Sequence, residues 1–328
     1  MTPWNLLALP PLPLDALRGL LAPLGDAVSV HAPAARDRAS LIEALGEAEI
    51  VLGDWSGGLA LDAEAVKAAP RLAFVQQPSV GVEAHDLGAL SAAGVPLANT
   101  AGVSAVAVAE WCVGAALALA RRLVEADAAV RAGRWPQLDL GPTELSGSRV
   151  GIVGFGPIGA ACARLFGAFG CELSYWTRTP RTESYGAAYR PLDEVVAGSD
   201  VLVLVIALSE ETRGLVDPRR MRAGSLLVNA ARGGVVDQDA LVAALRDGHL
   251  GGAALDVYEE EPLPALDPLR DLAGVLLSPH VAGVTPQATG RLVGAVLDNL
   301  RAAISGAPVA YVVNDAPPQI SRRPAADR

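Results

Sequence analysis

Short apolar runs alternate with amphipathic stretches along the first hundred residues. The runs fall at 5–9, 27–31, 49–53, 71–76 and 95–98, and the stretches between them, at 12–21, 36–45, 62–69 and 86–93, carry apolar positions at helical spacing. Strands separated by helices predict a parallel sheet, because parallel neighbours need a long crossover. Residues 103–123 are rich in Ala, Leu and Val without a proline, yet contain Glu110 and end in Arg121-Arg122, which predicts a buried connecting helix and not a membrane span. After a loop with Gly133, Trp135, Pro136, Gly141 and Pro142 the alternation restarts: strand 149–153, helix 158–169, strands 172–176, 201–206 and 225–229, helix 238–247, strand 252–256 and an apolar run at 275–277. A last helix over 286–304 is placed to pack back on the first unit, and the tail from Ala316, with Pro317, Pro318 and Pro324, reads as loose. The fold class is α/β, with two doubly wound parallel sheets in succession.

Composition narrows the function. The chain has 328 residues, enough for one large or two ordinary domains, and 51% hydrophobic against 19% charged residues excludes wholesale disorder. Lys and Arg number 26 against 36 Asp and Glu, a net charge of -10 that argues against nucleic acid or an acidic membrane as partner. Cys112, Cys162 and Cys171 have neither a disulfide framework's number nor zinc spacing, so no metal is expected and a reducing, cytoplasmic location fits. Pro3, Pro10, Pro11, Pro13, Asp15 and Pro23 interrupt the apolar opening, which no basic segment precedes; neither a signal peptide nor a spanning helix is expected.

The strongest local motif runs from Val150 through Gly154-Phe155-Gly156-Pro157-Ile158-Gly159: strand, G-x-G-x-x-G, then helix. Gly154 allows the tight turn, Gly156 lets the backbone approach a pyrophosphate, and Gly159 permits close strand–helix packing. An acidic residue at the end of the next strand would bind the adenosine ribose and repel a 2′-phosphate. The chain instead reads Thr177-Arg178-Thr179-Pro180-Arg181, a cationic site suited to NADPH, with NADH as the alternative if the two arginines are only solvated loop charges.

Four histidines limit the search for a general acid. His31 ends an early strand, His85 precedes a helix and His249 lies in an Asp-Gly-His turn, all expected at the surface or in turns. His280 follows the apolar run at 275–277, at the strand end where ligands bind in an open parallel sheet. By itself it reads equally as a structural histidine. Two further strand ends offer Arg232, after Asn229-Ala230-Ala231 and before Gly233-Gly234, and the carboxylates Glu259, Glu260 and Glu261, after Asp256-Val257-Tyr258. An arginine can bind a carboxylate and a carbonyl, and a glutamate beside a histidine favours its protonated form.

With these segments in place the chain resembles the D-isomer-specific 2-hydroxyacid dehydrogenase family over roughly residues 70–314, and the 176–181 stretch resembles its glyoxylate/hydroxypyruvate reductase-like branch. The resemblance implies a Rossmann cofactor domain at 99–286 inserted into a flavodoxin-like substrate domain, 1–98 with 287–328, and an active site in the cleft between them. It implies that Arg232 holds the 2-oxo acid, that Glu261 favours protonated His280, and that His280 donates a proton to the carbonyl oxygen as hydride arrives. It further implies cofactor contacts from Val108, Ala230, Ala231, Arg232, Asp256, His280, Ala282 and Gly283. Ile206, Ala207 and Leu208 would contribute mainly backbone, since Val205 and Ala207 stand where many members have His and Pro. Gln77-Pro78-Ser79-Val80-Gly81-Val82-Glu83 resembles the family loop whose main-chain N–H groups bind the substrate carboxylate, making Val80, Gly81 and Val82 substrate contacts. There Ser79 replaces the usual glycine and Glu83 the usual aspartate. Trp135 resembles a residue on the arm that reaches a second subunit, and a homodimer is expected, with the helix from 103 a candidate interface.

The implied activity is NAD(P)H-dependent reduction of a small 2-oxo acid, of the glyoxylate or hydroxypyruvate type, to the D-2-hydroxy acid. Glu261 argues against the formate branch, which has glutamine there. The alternatives are a phosphite-type dehydrogenase on the same fold and a cofactor-sensing binding protein without turnover.

Overall fold

Strand β1 (Trp4–Ala8) is flanked by β2 (Val28–His31) and β3 (Ile50–Leu52), and β4 (Phe74–Gln76) and β5 (Leu97–Ala98) continue the sheet, all parallel, in the order β2-β1-β3-β4-β5. This is the flavodoxin-like order. The structure, a computed structural model, describes residues 2–323. Helices α1 (Leu14–Leu21), α2 (Arg38–Leu45), α3 (Ala63–Lys67) and α4 (Leu87–Ala92) cross between the strands. The period-two alternation divides the core: Leu6, Ala8, Ile50, Leu52 and Phe74 pack with Leu17 and Leu21 of α1, while Leu7, Val51 and Val75 pack with Leu41, Val66 and Leu90 of α2, α3 and α4. Asp37, Asp62 and Asp86 cap α2, α3 and α4, each accepting from the backbone N–H three residues on.

The second unit opens with α5 (Ala105–Ala120) and α6 (Leu123–Arg131). The single helix expected over 103–123 therefore ends early, because Arg122 takes a left-handed φ of 52° and starts a new helix; an apolar run does not encode where it breaks. Seven parallel strands follow: β6 (Arg149–Val153), β7 (Glu172–Trp176), β8 (Ala188–Tyr189), β9 (Val201–Leu204), β10 (Leu226–Asn229), β11 (Gly252–Leu255) and β12 (Val275–Leu277). Their order, β12-β11-β10-β9-β6-β7-β8, is that of a Rossmann sheet with a seventh strand. Helices α7 (Pro157–Ala168), α8 (Leu192–Gly198) and α9 (Gln238–Arg246) complete it. The sequence pattern does not reveal β8 and α8, two and seven residues long, because both are shorter than the windows over which a hydrophobic repeat can be recognised. One sheet face, with Val150, Ile152, Val203 and Val228, packs on α5 and α7; the other, with Val153, Leu202, Leu204 and Leu227, packs on α8 and α9.

Helix α10 (Pro286–Ser305) returns Val296, Leu297, Leu300 and Ala303 to the core of the first unit. The chain divides after Val103 and again before Thr289, against the expected 98 and 287. The tail is not loose as far as it is described. Ile320 is buried, Val309 N–H donates to the Pro318 carbonyl, and Arg322 pairs with buried Glu49 at 3.0 Å and lies 4.6 Å over the Trp4 ring. A tail that reads as a linker by composition is held because the Glu49 carboxylate requires cations. Residues 324–328, also expected to be loose, lie outside the described residues. Among the described residues no helix is long and apolar enough to cross a membrane.

Candidate active site

The order β7-β6-β9-β10-β11-β12 lines up, along one edge of the second sheet, the strand ends that carry the chemistry. At β6, Gly154 has φ +96°, and a Cβ there would lie 2.6 Å from the Val205 carbonyl oxygen of the neighbouring chain segment. Gly159 is equally constrained, a Cβ falling 2.3 Å from the Gly154 carbonyl oxygen, so the first turn of α7 can press against β6. Gly156 differs: nothing lies within 4 Å of its Cβ position, which faces open space beside the α7 N-terminus. Open approach to backbone N–H groups that lack helical acceptors fits a pyrophosphate. Phe155 lies 4.0 Å from the Tyr175 ring, and the Tyr175 hydroxyl accepts from Arg181 N–H at 2.9 Å, tying the 177–181 loop to β7. Thr177 is half-buried, and Arg178, Thr179 and Arg181 are exposed.

Strand β9 ends at Leu204 instead of the expected Ile206, so Val205, Ile206, Ala207 and Leu208 form a loop. Buried Thr212 holds it, donating to the Ala207 carbonyl at 2.8 Å and accepting from Ser209 N–H at 2.7 Å. At β10, buried Asn229 accepts from Ala231 N–H at 3.0 Å and donates to the Arg232 carbonyl at 3.2 Å, an Asx-type turn that fixes the arginine backbone. The next residue, Gly233, closes the turn: a Cβ there would lie 1.9 Å from the Tyr258 carbonyl carbon, so only glycine lets the Arg232 segment approach the Tyr258–Glu259 peptide.

Glu261 and His280 meet at the next two strand ends. His280 Nδ1 lies 2.7 Å from Glu261 Oε2, while Glu261 Oε1 accepts from Tyr258 N–H at 3.0 Å. Burial pushes the Glu261 carboxyl up, but the His280 and Tyr258 hydrogen bonds and the charges of His280 and Arg232 outweigh it and hold the group below the usual glutamate value. His280 has φ 55°, and Asp256 supports the turn around it. Asp256 is buried and accepts from Val281 and Ala282 N–H, each at 2.8 Å, and from the Ser278 hydroxyl. Gly283 packs against Val108 of α5 and Ala282 lies in the same core cluster, so these three sequence-expected positions come together.

The first unit carries a separate polar loop after β4. His85, expected at the surface or in a turn, is buried: its Nδ1 accepts from Leu61 N–H at 3.2 Å and its Nε2 lies 3.1 Å from Gln77 Oε1. Burial pushes its pKa below that of ordinary histidine, against the opposing pull of Asp54. Gln77 Nε2 donates to the Asp54 carbonyl and, at 2.8 Å, to Ser79 Oγ, which donates to the Gly81 carbonyl at 2.9 Å. Thr100 N–H binds the Ser79 carbonyl and Asn99 Nδ2 the Val80 carbonyl. Among the described residues, Val80, Gly81 and Val82 N–H donate to no protein acceptor.

Residues 113–282 match the model of the D-isomer specific 2-hydroxyacid dehydrogenase NAD-binding domain, slightly more than half of the chain. The chain belongs to the D-isomer specific 2-hydroxyacid dehydrogenase family. It is 39% identical to a glyoxylate reductase of Korarchaeum cryptofilum over 251 residues, 73% of this chain and 75% of that one. It is also 39% identical to a glyoxylate/hydroxypyruvate reductase A of Arabidopsis thaliana over 261 residues, 78% of this chain and 82% of that one. Among solved structures, the NADPH-dependent glyoxylate/hydroxypyruvate reductase of Sinorhizobium meliloti, in complex with NADP and malonate, has a TM-score of 0.83 at 29% identity, with 98% of this chain and all 100% of that one covered.

Members of this 2-hydroxyacid dehydrogenase family are oxidoreductases that use a nicotinamide cofactor, and the open Gly156 turn is a fitting place for its phosphates. Motifs alone assign no role to Asn229, Thr212, Tyr175, Gln77 and His85, the side chains that hold the site loops. Asn229 is legible in the sequence, being an Asn that ends a strand and can bond its own backbone two residues on. Thr212 acts within its own loop, three and five residues back, while His85 with Gln77 and Tyr175 with Arg181, separated by 8 and 6 residues, have no local signature.

Proposed function

We propose that the chain reduces 2-oxo acids to D-2-hydroxy acids with NADPH, His280 serving as proton donor. The observation that carries this is the 2.7 Å contact between His280 Nδ1 and Glu261 Oε2 one strand away from Arg232. With Nδ1–H donating to the carboxylate, Nε2–H is the proton that can leave, and the Nδ1–H tautomer remains when it has left. Arg232 binds and polarises the carbonyl, and Val80, Gly81 and Val82 N–H take the carboxylate. A reduced nicotinamide cofactor, its phosphates held at the 154–159 turn, would supply the hydride that completes the alcohol.

For the 2′-phosphate, support comes from Thr177, Arg178, Thr179 and Arg181 at the end of β7. No carboxylate stands in that run, and outside it the Glu211 carboxyl is held below the usual glutamate value by its Ser209 hydrogen bond, with help from the Arg178 charge. For the substrate side chain, support comes from an apolar cavity of about 160 Å³ in the first unit, lined by Pro10, Leu12, Trp55, Pro78, Leu292 and Val293 among others. A cavity of roughly 150 Å³ holds benzene. Initial rates with glyoxylate, hydroxypyruvate, a branched-chain 2-oxo acid and an aryl 2-oxo acid, each with NADPH and NADH, test both points. The expected result is turnover with kcat/KM at least about tenfold higher for NADPH, equivalent to one phosphate contact, and turnover of the apolar acids alongside glyoxylate. Higher efficiency with NADH would overturn the phosphate assignment; cofactor binding without any turnover would favour a sensor.

A homodimer in the cytoplasm belongs to the same proposal. Leu123, Val124, Val130, Trp135 and Leu138 are exposed apolar side chains within residues 123–138, Trp135 at 78% and Leu138 at 92%, and a second copy packed over them would take their surface out of water. Light scattering is expected to give twice the chain mass, and Trp135→Glu with Leu138→Glu to give the monomer. The three free thiols suit a reducing compartment.

A further inference from the structure

We propose that His85 is a positioning residue for substrate binding, acting through Gln77 and Ser79 to aim the Val82 N–H of the carboxylate loop. The inference rests on the reading of Val80, Gly81 and Val82 as carboxylate donors.

Each link of the chain dictates the next. Because Leu61 N–H donates to His85 Nδ1, the ring proton sits on Nε2 and Gln77 must present Oε1 to it. The Gln77 amide is thereby fixed with both N–H bonds directed at the Asp54 carbonyl and Ser79 Oγ. Ser79 Oγ, already accepting, donates its proton to the Gly81 carbonyl. In a trans peptide C=O and N–H point in opposite directions, so anchoring a carbonyl aims the following N–H the other way. Thr100 does this for Val80 N–H and Asn99 for Gly81 N–H; the Val82 N–H alone depends on Ser79, and through it on Gln77 and His85. The Ser79 hydroxyl is thus the side-chain anchor of the Gly81 carbonyl. Gly53 belongs to the device: a Cβ there would lie 1.9 Å from Gln77 Oε1, although the backbone at 53 has no positive φ that would demand glycine.

The test is steady-state kinetics of the full chain with NADPH and whichever of glyoxylate, hydroxypyruvate, branched-chain or aryl 2-oxo acid turns over best. Ser79→Ala and His85→Leu are expected to raise KM for the 2-oxo acid about tenfold, the equivalent of one charge-assisted hydrogen bond, with kcat and the KM for NADPH within about twofold. His85→Gln keeps an N–H directed at Gln77 Oε1 and is expected to restore most of the affinity, whereas Gly53→Ala, which removes no hydrogen-bonding group, is expected to raise KM like Ser79→Ala. A merely structural role would lower the melting temperature of His85→Leu and leave KM in place. Unchanged KM in Ser79→Ala, with the unsubstituted chain active, overturns the inference alone; no turnover by the unsubstituted chain overturns the functional reading with it.

Discussion

Replacing His280 with asparagine is expected to lower kcat for 2-oxo acid reduction by about 10²–10⁴-fold, the range that a positioned general acid supplies, while leaving the KM for NADPH near its original value. Asparagine can still face Glu261, but it carries no proton that it can release at the Nε2 position. Initial rates alongside cofactor titration by fluorescence would check this, and a variant within threefold of the parent would remove His280 from the reaction. Glu261 contributes through charge. Its carboxyl is held below the usual glutamate value, so the negative charge it places beside His280 Nδ1, fully present above the ordinary carboxylate range, is lost as pH falls through the lowered value. Acid inactivation traced to this pair is therefore expected below the ordinary glutamate pKa. Glu261→Gln keeps an acceptor for Nδ1–H but not the charge, and a fall in kcat of about 10–100-fold is expected, smaller than the loss at His280 because the proton itself remains available.

Arg232→Gln is expected to cost about 10²–10³ in kcat/KM, corresponding to the loss of a charge-assisted, two-pronged contact with the substrate. The loss should appear in both KM and kcat, since the guanidinium binds the ground state and also meets the negative charge that develops on the carbonyl oxygen. That pattern separates it from His280, where kcat carries the effect. Arg232→Lys should recover part of KM and little of kcat, because an ammonium cannot reproduce the planar fork. Equal kcat in Arg232→Gln and the parent enzyme would sink the assignment of Arg232 to the carbonyl. The neighbouring Gly233 sets the precision: the turn passes so close to the Tyr258–Glu259 peptide that the position of Arg232 relative to the Glu261 segment is fixed by backbone packing.

Much of this architecture is written locally. Near-continuous apolar runs at 5–9 and 149–153 determine that β1 and β6 are buried on both faces, and G-x-G-x-x-G between an apolar strand and a helix determines the turn at 154–159, because Gly154 takes a positive φ and Gly159 leaves no room for a Cβ. The same holds for the residue types at the strand ends: Arg232, Glu261 and His280 each follow an apolar run, and that order along the chain is enough to place them on one sheet edge. Tertiary structure alone decided the rest. The break at Arg122, the docking of the 316–323 segment through Glu49, and the burial of His85 depend on partners distant in sequence, which no window of neighbouring residues contains. The 2.7 Å approach of His280 to Glu261 is of the same kind. It requires β11 and β12 to pair in register and Asp256 to gather the turn beyond them, and a hydrogen bond between strand ends is a property of that packing, however plainly its two residue types are spelled in the chain.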